Sequence, residues 1–194
     1  MGKTEVTQAQ WLAEMGSNPS YFVPAYGFSS DTTKPVERVS WNMIQPFCTQ
    51  NGIRLPTEAE WEYAYRAGTT TAFHSYPAQP TGFNDDSLLG NIAWYVGNYN
   101  GQTRAVSGKF ANALGLHDMS GNVWEWCQDW YGAYSSGAQT NPTGPATGTD
   151  RLLRGGNWFY YYDDYAYLCR ASQRYSRSPG LISGQVGFRV ARTP

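Results

Sequence analysis

Two polar stretches, residues 76–90 and 134–149, constrain this chain most. They are rich in Gly, Pro, Asn, Ser and Thr, and they separate short strand-like pieces at 92–96, 123–126, 152–153 and 186–190. Loops of that length inside one folding unit need something to pin them. The pin written here is aromatic: 16% of the 194 residues are Phe, Trp or Tyr, with eight Trp and fifteen Tyr among them. Each such ring buries roughly 150–250 Å², and the polar tips of Trp and Tyr satisfy loop backbone groups. Three short helices precede the loops. Thr7 with Gln10 is a capping box, followed by the apolar face Trp11, Leu12 and Met15 and a stop at Gly16. Ser40 caps a segment over 41–50 that ends at Asn51-Gly52, where Pro46 predicts a kink or an early end. Thr57 with Glu60 is a second box, with Trp61 and Tyr65 one turn apart and Gly68 closing the helix. No repeat, linker or charge block divides the chain, so one α+β domain over residues 1–194 is expected.

Charge and composition remove several functions. Fourteen Lys+Arg stand against fifteen Asp+Glu, a net charge of −1, which offers no basic face to a phosphate backbone and excludes nucleic acid as a partner. No apolar run approaches the roughly 20 residues of a membrane span, so no membrane insertion is expected. The opening MGKTEVTQAQW lacks the apolar stretch of a signal peptide. Cys48, Cys127 and Cys169 are widely spaced and odd in number; one bridge or three free thiols both fit, and no CxxC motif is present. With His74 and His117 alone, a transition-metal site is not expected, and His117 reads as structural. Ser120 lacks a nucleophile elbow. Asp163 and Asp164 are adjacent, so on an extended chain they point to opposite sides, which is poor geometry for paired acid–base work.

Four motifs are far more specific: RLPTEAEWEY at 54–63, LHDMSGNVWEWCQDW at 116–130, RGGNW at 154–158 and GFR at 187–189. Physically they read as scaffold. Gly121 suits a positive φ, Asn122 can bond its turn, and Trp124 and Trp126 share one face of a strand. Arg154 and Arg189 are candidates for buried bidentate pairing with Glu60, Glu62 or Glu125. In this order the motifs resemble the formylglycine-generating, sulfatase-modifying enzyme family over nearly the whole chain. The resemblance implies a C-type-lectin fold of that type, with few short helices, twisted antiparallel strands and much irregular structure. The family's opening strand, usually placed before an EVTQAQW-like segment, has no counterpart, which suggests a compact or truncated form.

The resemblance also implies a structural calcium ion at the turn over 116–125, held by side-chain oxygens of Asp118 and Glu125 and by carbonyls of Gly121 and Val123. Oxygen donors from a tight loop are what calcium requires. A second, weaker implication is a site at Asn91-Ile92. No catalytic cofactor is implied, because the family's copper-dependent oxidation needs two reactive cysteines between the glycine pair and Cys169. Phe159 and Asp164 stand at about those places, and neither can act as a thiolate.

Between the scaffold motifs lie FYYYDDYAYL at 159–168 and YSRSPGLISG at 175–184. In the first, rings and carboxylates fall on both parities, so no half-buried strand is written. Tyr, Ser, Gly and Asp are the residues that antibody loops use, because Tyr offers amphipathic area at low entropic cost. Across both stretches Lys, Glu, Gln, Met and Trp are absent, although they form about a sixth of the chain. Independent draws give that absence a chance of about 3%. Those five are the residues that codons ending in a pyrimidine cannot encode. With the lectin-type scaffold, this pattern resembles the variable proteins of diversity-generating retroelements, in which an error-prone reverse transcriptase rewrites template adenines near the 3′ end of a gene.

That resemblance implies a variable ligand-binding segment at 157–186. Its varied positions are Phe159, Tyr160, Tyr161, Tyr162, Asp163, Asp164, Tyr165, Tyr167, Tyr175, Ser176, Ser178, Gly180, Leu181, Ile182 and Ser183, with Ala166, Cys169, Arg170, Arg174 and Pro179 as framework. The implied function is non-catalytic capture of a protein or other macromolecular ligand, at a cell surface or as a secreted protein. The alternatives are a diverged oxidase of the same family and a constant surface or regulatory domain. Calcium-mediated sugar binding has little support, since the paired-carboxylate sugar motifs are absent.

Overall fold

The computed structural model describes residues 1–159 and 166–193. Helix α1 (Gln8–Met15) opens on the Thr7–Gln10 capping box and ends at Gly16, with φ 72°. Helix α2 (Trp41–Gln50) starts at Ser40, whose hydroxyl accepts from the Met43 N–H. The expected break at Pro46 does not occur. Proline costs the helix one N–H, and the buried face of Ile44, Phe47 and Cys48 holds both sides of it to the core. Helix α3 (Glu58–Arg66) has the Thr57–Glu60 box, and its left-handed end residue is Ala67 (φ 46°), one position before Gly68.

The strands are short. A parallel pair joins β1 (Ala93–Trp94) to β2 (Ser120–Gly121). The main sheet contains β3 (Trp124–Trp130), β4 (Arg151–Arg154), β5 (Tyr175–Arg177) and β6 (Val186–Gly187) in the order β5-β4-β3-β6. It is mixed rather than purely antiparallel, because β6 runs parallel to β3. The strand expected over 92–96 stops after Trp94: the Asn98 side chain takes the Tyr95 N–H at 3.0 Å and donates to the Ala93 carbonyl at 2.9 Å, turning the chain. The piece expected over 186–190 leaves the sheet after Gly187, and the Phe188 carbonyl accepts from Val6 N–H instead. Strand β5 lies where irregular structure was expected; it pairs with β4 through Leu153–Tyr175 and Arg151–Arg177.

Trp124 and Trp126 do share a face, packing with Trp11, Phe47, Leu153 and Phe188 in the largest core cluster. The indoles also pin loops: Trp126 donates to the Val39 carbonyl at 3.0 Å and Trp61 to Glu125 at 2.7 Å. Gly121 has φ 77°, and a Cβ there would collide with the Trp94 carbonyl, so only glycine fits between β1 and β2. All three cysteines are free and buried. Among the described residues no helix is long and apolar enough to cross a membrane.

Candidate ligand-binding face

The scaffold residues around 157–186 hold that segment from several sides. Arg154, fully buried, donates to Glu62 Oε2 at 2.5 Å and to the Ala171 and Gln173 carbonyls at 2.6 Å each. Arg174 makes a bidentate pair with Glu58 at 2.6 and 2.8 Å and donates to the Gly132 carbonyl at 2.9 Å. Charged forks of this kind fix geometry as well as charge. The glycine pair allows Cys169 to approach: a Cβ on Gly156 would lie 2.7 Å from its Sγ and 3.0 Å from the Leu168 carbonyl. Farther along, the Asn42 N–H donates to the Pro179 carbonyl at 3.2 Å and the Arg38 N–H to the Ser183 carbonyl at 3.0 Å. Trp158 donates its indole N–H to the Gly184 carbonyl at 3.0 Å.

The candidate residues then fall into groups. Tyr160, Tyr161, Tyr162, Asp163, Asp164 and Tyr165 lie outside the described residues. Phe159 is half-buried beside Trp158 and Tyr99, at 5.1 and 5.8 Å between ring centroids. Tyr167 is exposed on the 3₁₀ turn Ala166–Cys169. Tyr175 is half-buried and stacks on Trp124 at 5.2 Å, with the Arg177 guanidinium 4.2 Å from its ring centre. Leu181 packs against the main core cluster, and the Ser183 hydroxyl accepts from the Gln185 N–H. Ser176 is half-buried on β5, while Ser178, Gly180 and Ile182 are exposed. Tyr175 and Leu181 therefore serve the fold as well as the surface. The framework residues Ala166 and Cys169 are buried, and Arg170 pairs with Asp86 at 3.0 Å.

Five rings that sequence reasoning passed over adjoin this face. Tyr21 stacks on Tyr26 at 4.9 Å and meets Phe28 and Phe22 at 5.4 Å each. Phe22 then meets Trp158 edge-on at 5.3 Å, and Tyr99 adjoins Trp158 at 5.6 Å. The signal was present as four aromatics in the eight residues 21–28. Beneath them Glu37 Oε1 accepts from the Tyr21 and Phe22 N–H groups at 2.5 and 3.1 Å. Burial raises the Glu37 carboxyl to about 7.

At the turn expected to hold calcium, Glu125 already meets a buried cation of the chain's own. Glu125 is committed to Arg189, whose Nε and Nη2 reach its two oxygens at 2.6 Å each, and to the Trp61 indole. The same guanidinium donates to the His117 and Asp118 carbonyls at 3.0 and 3.2 Å. Asp118 Oδ2 accepts from Ser107 N–H at 2.7 Å, and its Oδ1 is buried without a hydrogen-bond partner among the described residues. An arginine supplies the positive charge at this turn. At Asn91-Ile92 a lysine does: Lys109 Nζ donates to the Gly90 carbonyl at 2.5 Å. Among the described residues no three His, Cys, Asp or Glu side chains are grouped as metal ligands.

The thiols are equally unsuited to nucleophilic work. Burial pushes Cys48 up to about 11 and Cys169 up to about 12, and Cys127 well above its ordinary value. His117 Nδ1 lies 2.9 Å from the Lys109 carbonyl, a structural contact.

Comparison with known proteins bears on this geometry. The model of the sulfatase-modifying factor enzyme 1-like domain matches residues 1–194. The formylglycine-generating enzyme of Streptomyces coelicolor is 35% identical over 184 residues, covering 85% of this chain and 56% of the relative; the chain spans about half the length of such relatives. Among solved structures, Treponema denticola variable protein 1 superposes with a TM-score of 0.85 at 33% identity, over 98% of this chain and 82% of that one. PvdO from Pseudomonas aeruginosa shares the fold, with a TM-score of 0.76 at 21% identity over 97% of this chain and 77% of that one.

Proposed function

The chain belongs to the sulfatase-modifying factor enzyme 1-like domain family, and within it we propose that this protein binds a macromolecular ligand without turnover. A rigid lectin-type scaffold displays a hypervariable, tyrosine-rich surface drawn from the positions between Phe159 and Ser183. One observation carries the reading. The segment is tied at Arg154, Trp158, Arg174, Pro179 and Gly184, while Ser178, Gly180 and Ile182 between the ties are exposed. A surface whose fold is secured elsewhere tolerates changes of side chain. The likeness to a variable protein of Treponema denticola supports the same reading. So does the absence of an ionised thiol among the three buried cysteines, since thiolate chemistry needs a low-pKa, accessible sulfur.

The test is genetic. Sequencing around the gene should find an imperfect repeat of its 3′ end, with AAY codons at the varied positions, beside a reverse transcriptase gene. Finding neither removes the diversification. A second reading, a diverged oxidase, draws on the 35% identity to the Streptomyces coelicolor enzyme. Incubation with copper, oxygen and a cysteine-containing sulfatase peptide separates the two: formylglycine formation at many turnovers would overturn the binding-only reading. A binder of this kind works where it meets macromolecules, so a cell-surface or secreted location belongs to the proposal. Protease accessibility on intact cells, together with assay of the medium, checks it.

A further inference from the structure

Resting on that binding reading, we propose that the ligand is gripped by two adjoining surfaces, one formed by the exposed segment residues Ser178, Gly180 and Ile182 and the other a fixed aromatic ridge of Tyr21, Tyr26, Phe28 and Tyr99. The partner that fits is a protein segment presenting a large apolar side chain flanked by carboxylates.

The ridge is exposed but ordered. Tyr21 and Tyr26 are 43% and 54% exposed, yet each ring is already held against another. Rings fixed before binding lose little entropy on contact, and clustered exposed aromatics are what binding hot spots use. The ridge and the segment also share one support. Glu37 takes the N–H groups of Tyr21 and Phe22, its Oε2 lies 3.5 Å from where a Gly184 Cβ would sit, and neighbouring Arg38 holds the Ser183 carbonyl. Trp158, which contacts Phe22 and Tyr99, holds the Gly184 carbonyl. The two surfaces are therefore fixed relative to each other by the same few residues.

Charge names the flanks of the partner. Arg38 is half-exposed at the Ser183 end and Arg177 is exposed at the β5 end, and neither forms an ion pair among the described residues. A partner carboxylate would meet Arg38 where its N–H holds the Ser183 carbonyl, and a second would meet Arg177 over the Tyr175 ring on the segment side. Ring geometry favours a protein over a sugar. Within the ridge Tyr21 already stacks one face on Tyr26 at 26° and meets Phe28 at 60°, so it presents ring edges as well as faces, whereas a pyranose needs one flat open face. A fixed ridge also suits a diversified neighbour: it supplies affinity common to many ligands, and the varied residues supply the differences between them.

The full chain is panned against a phage-displayed peptide library, and the selected peptides are measured on variants. The expected peptides carry Asp or Glu beside a large apolar residue. Their affinity should fall about tenfold or more in Tyr21→Ser with Tyr26→Ser, survive in Tyr21→Phe, and weaken in Arg38→Gln and with rising salt. It should also fall in Ser178→Arg with Ile182→Arg, on the segment side. Loss on the segment side alone overturns the ridge and leaves the binding reading standing. Loss on the ridge side alone overturns the joint grip and the segment's role. Insensitivity to both overturns both, and neutral oligosaccharides retained through the ridge while no peptide is selected overturn the protein partner. Should Tyr21→Ser lower the thermal midpoint, the single Tyr26→Ser variant, at the more exposed ring, carries the same test.

Discussion

Trp158 donates its indole N–H to the carbonyl of Gly184 at 3.0 Å, a bond across 26 residues that ties the start of the tyrosine-rich segment to its end. Trp158→Phe removes the donor but keeps a ring against Phe22 and Tyr99. The lost bond and the carbonyl left behind should cost about 1–2 kcal/mol in urea-induced unfolding. Amide exchange near Gly184 should accelerate more than exchange in α3. An unchanged unfolding midpoint with unchanged exchange would show that the segment holds its base without this clamp.

Arg189 fills the turn where calcium was expected, and its guanidinium already neutralises Glu125. A ligand raises an unfolding midpoint only if it binds the folded form. Thermal unfolding should therefore run at the same midpoint in calcium, in magnesium and in excess chelator. A calcium-dependent rise that the chelator reverses would contradict the arrangement of Arg189, Glu125 and Asp118 described above.

The same pair makes a mutational contrast. Glu125→Ala leaves a fully buried guanidinium without its counter-charge, which should cost about 3–5 kcal/mol. Asp86→Asn breaks the pair with Arg170, whose two side chains are 40% and 38% exposed, and should cost less than about 1 kcal/mol. Chemical denaturation of both variants measures the difference, and comparable losses would mean that burial is not what separates the two pairs.

Much of the scaffold was legible because it rests on local chemistry. The Thr7 and Thr57 capping boxes and the Ser40 cap each placed a helix within a residue or two. Buried Arg189 found Glu125 bidentately and buried Arg154 found Glu62 through a single bond, two of the three carboxylates foreseen; the third, Glu60, went to Arg54. Less local features were not legible. Strand β2 is two residues long and exists only because β1 lies beside it, and β5 reads as polar loop because the pairing with β4 supplies what its sequence lacks. Asp118 and Glu125 could be seen as cation ligands, but which cation meets them depends on Arg189, 64 residues beyond Glu125. The ridge of Tyr21 and Tyr26 was hidden for the same reason: nothing in residues 21–28 says that Trp158 packs against them.

Exposure predicts which of the proposed variable positions are free to change. Ser178, Gly180 and Ile182 are exposed, and a Cβ on Gly180 would meet nothing within 4 Å. Substitutions such as Ser178→Tyr, Gly180→Ala or Ile182→Asn should shift stability by no more than about 0.5 kcal/mol. Gly156→Ala, with φ 80° and the Cys169 sulfur 2.7 Å from the added carbon, should cost several-fold more, about 2–4 kcal/mol. Denaturation midpoints that failed to separate these two groups would mean that the segment is not mounted on the scaffold as described.

Glu37 makes stability depend on pH in a direction opposite to that of an ordinary paired carboxylate. Burial raises its carboxyl from 4.5 to about 7. Between those values the folded protein holds a proton that the unfolded chain has released, so the contribution is present in full below about 4.5, falls as pH rises, and is gone above about 7. The shift corresponds to about 3 kcal/mol for this group. Burial raises Glu5 and Asp118 too, and their contributions carry the same sign. Glu37→Gln keeps an oxygen for the Tyr21 and Phe22 N–H groups and cannot ionise. It should flatten the fall in stability between pH 5 and pH 7 without abolishing it, and it should leave the variant more stable than the parent at pH 8. Stability curves over that range check both points, and a variant that follows the parent curve would mean that Glu37 stays charged beneath the aromatic ridge.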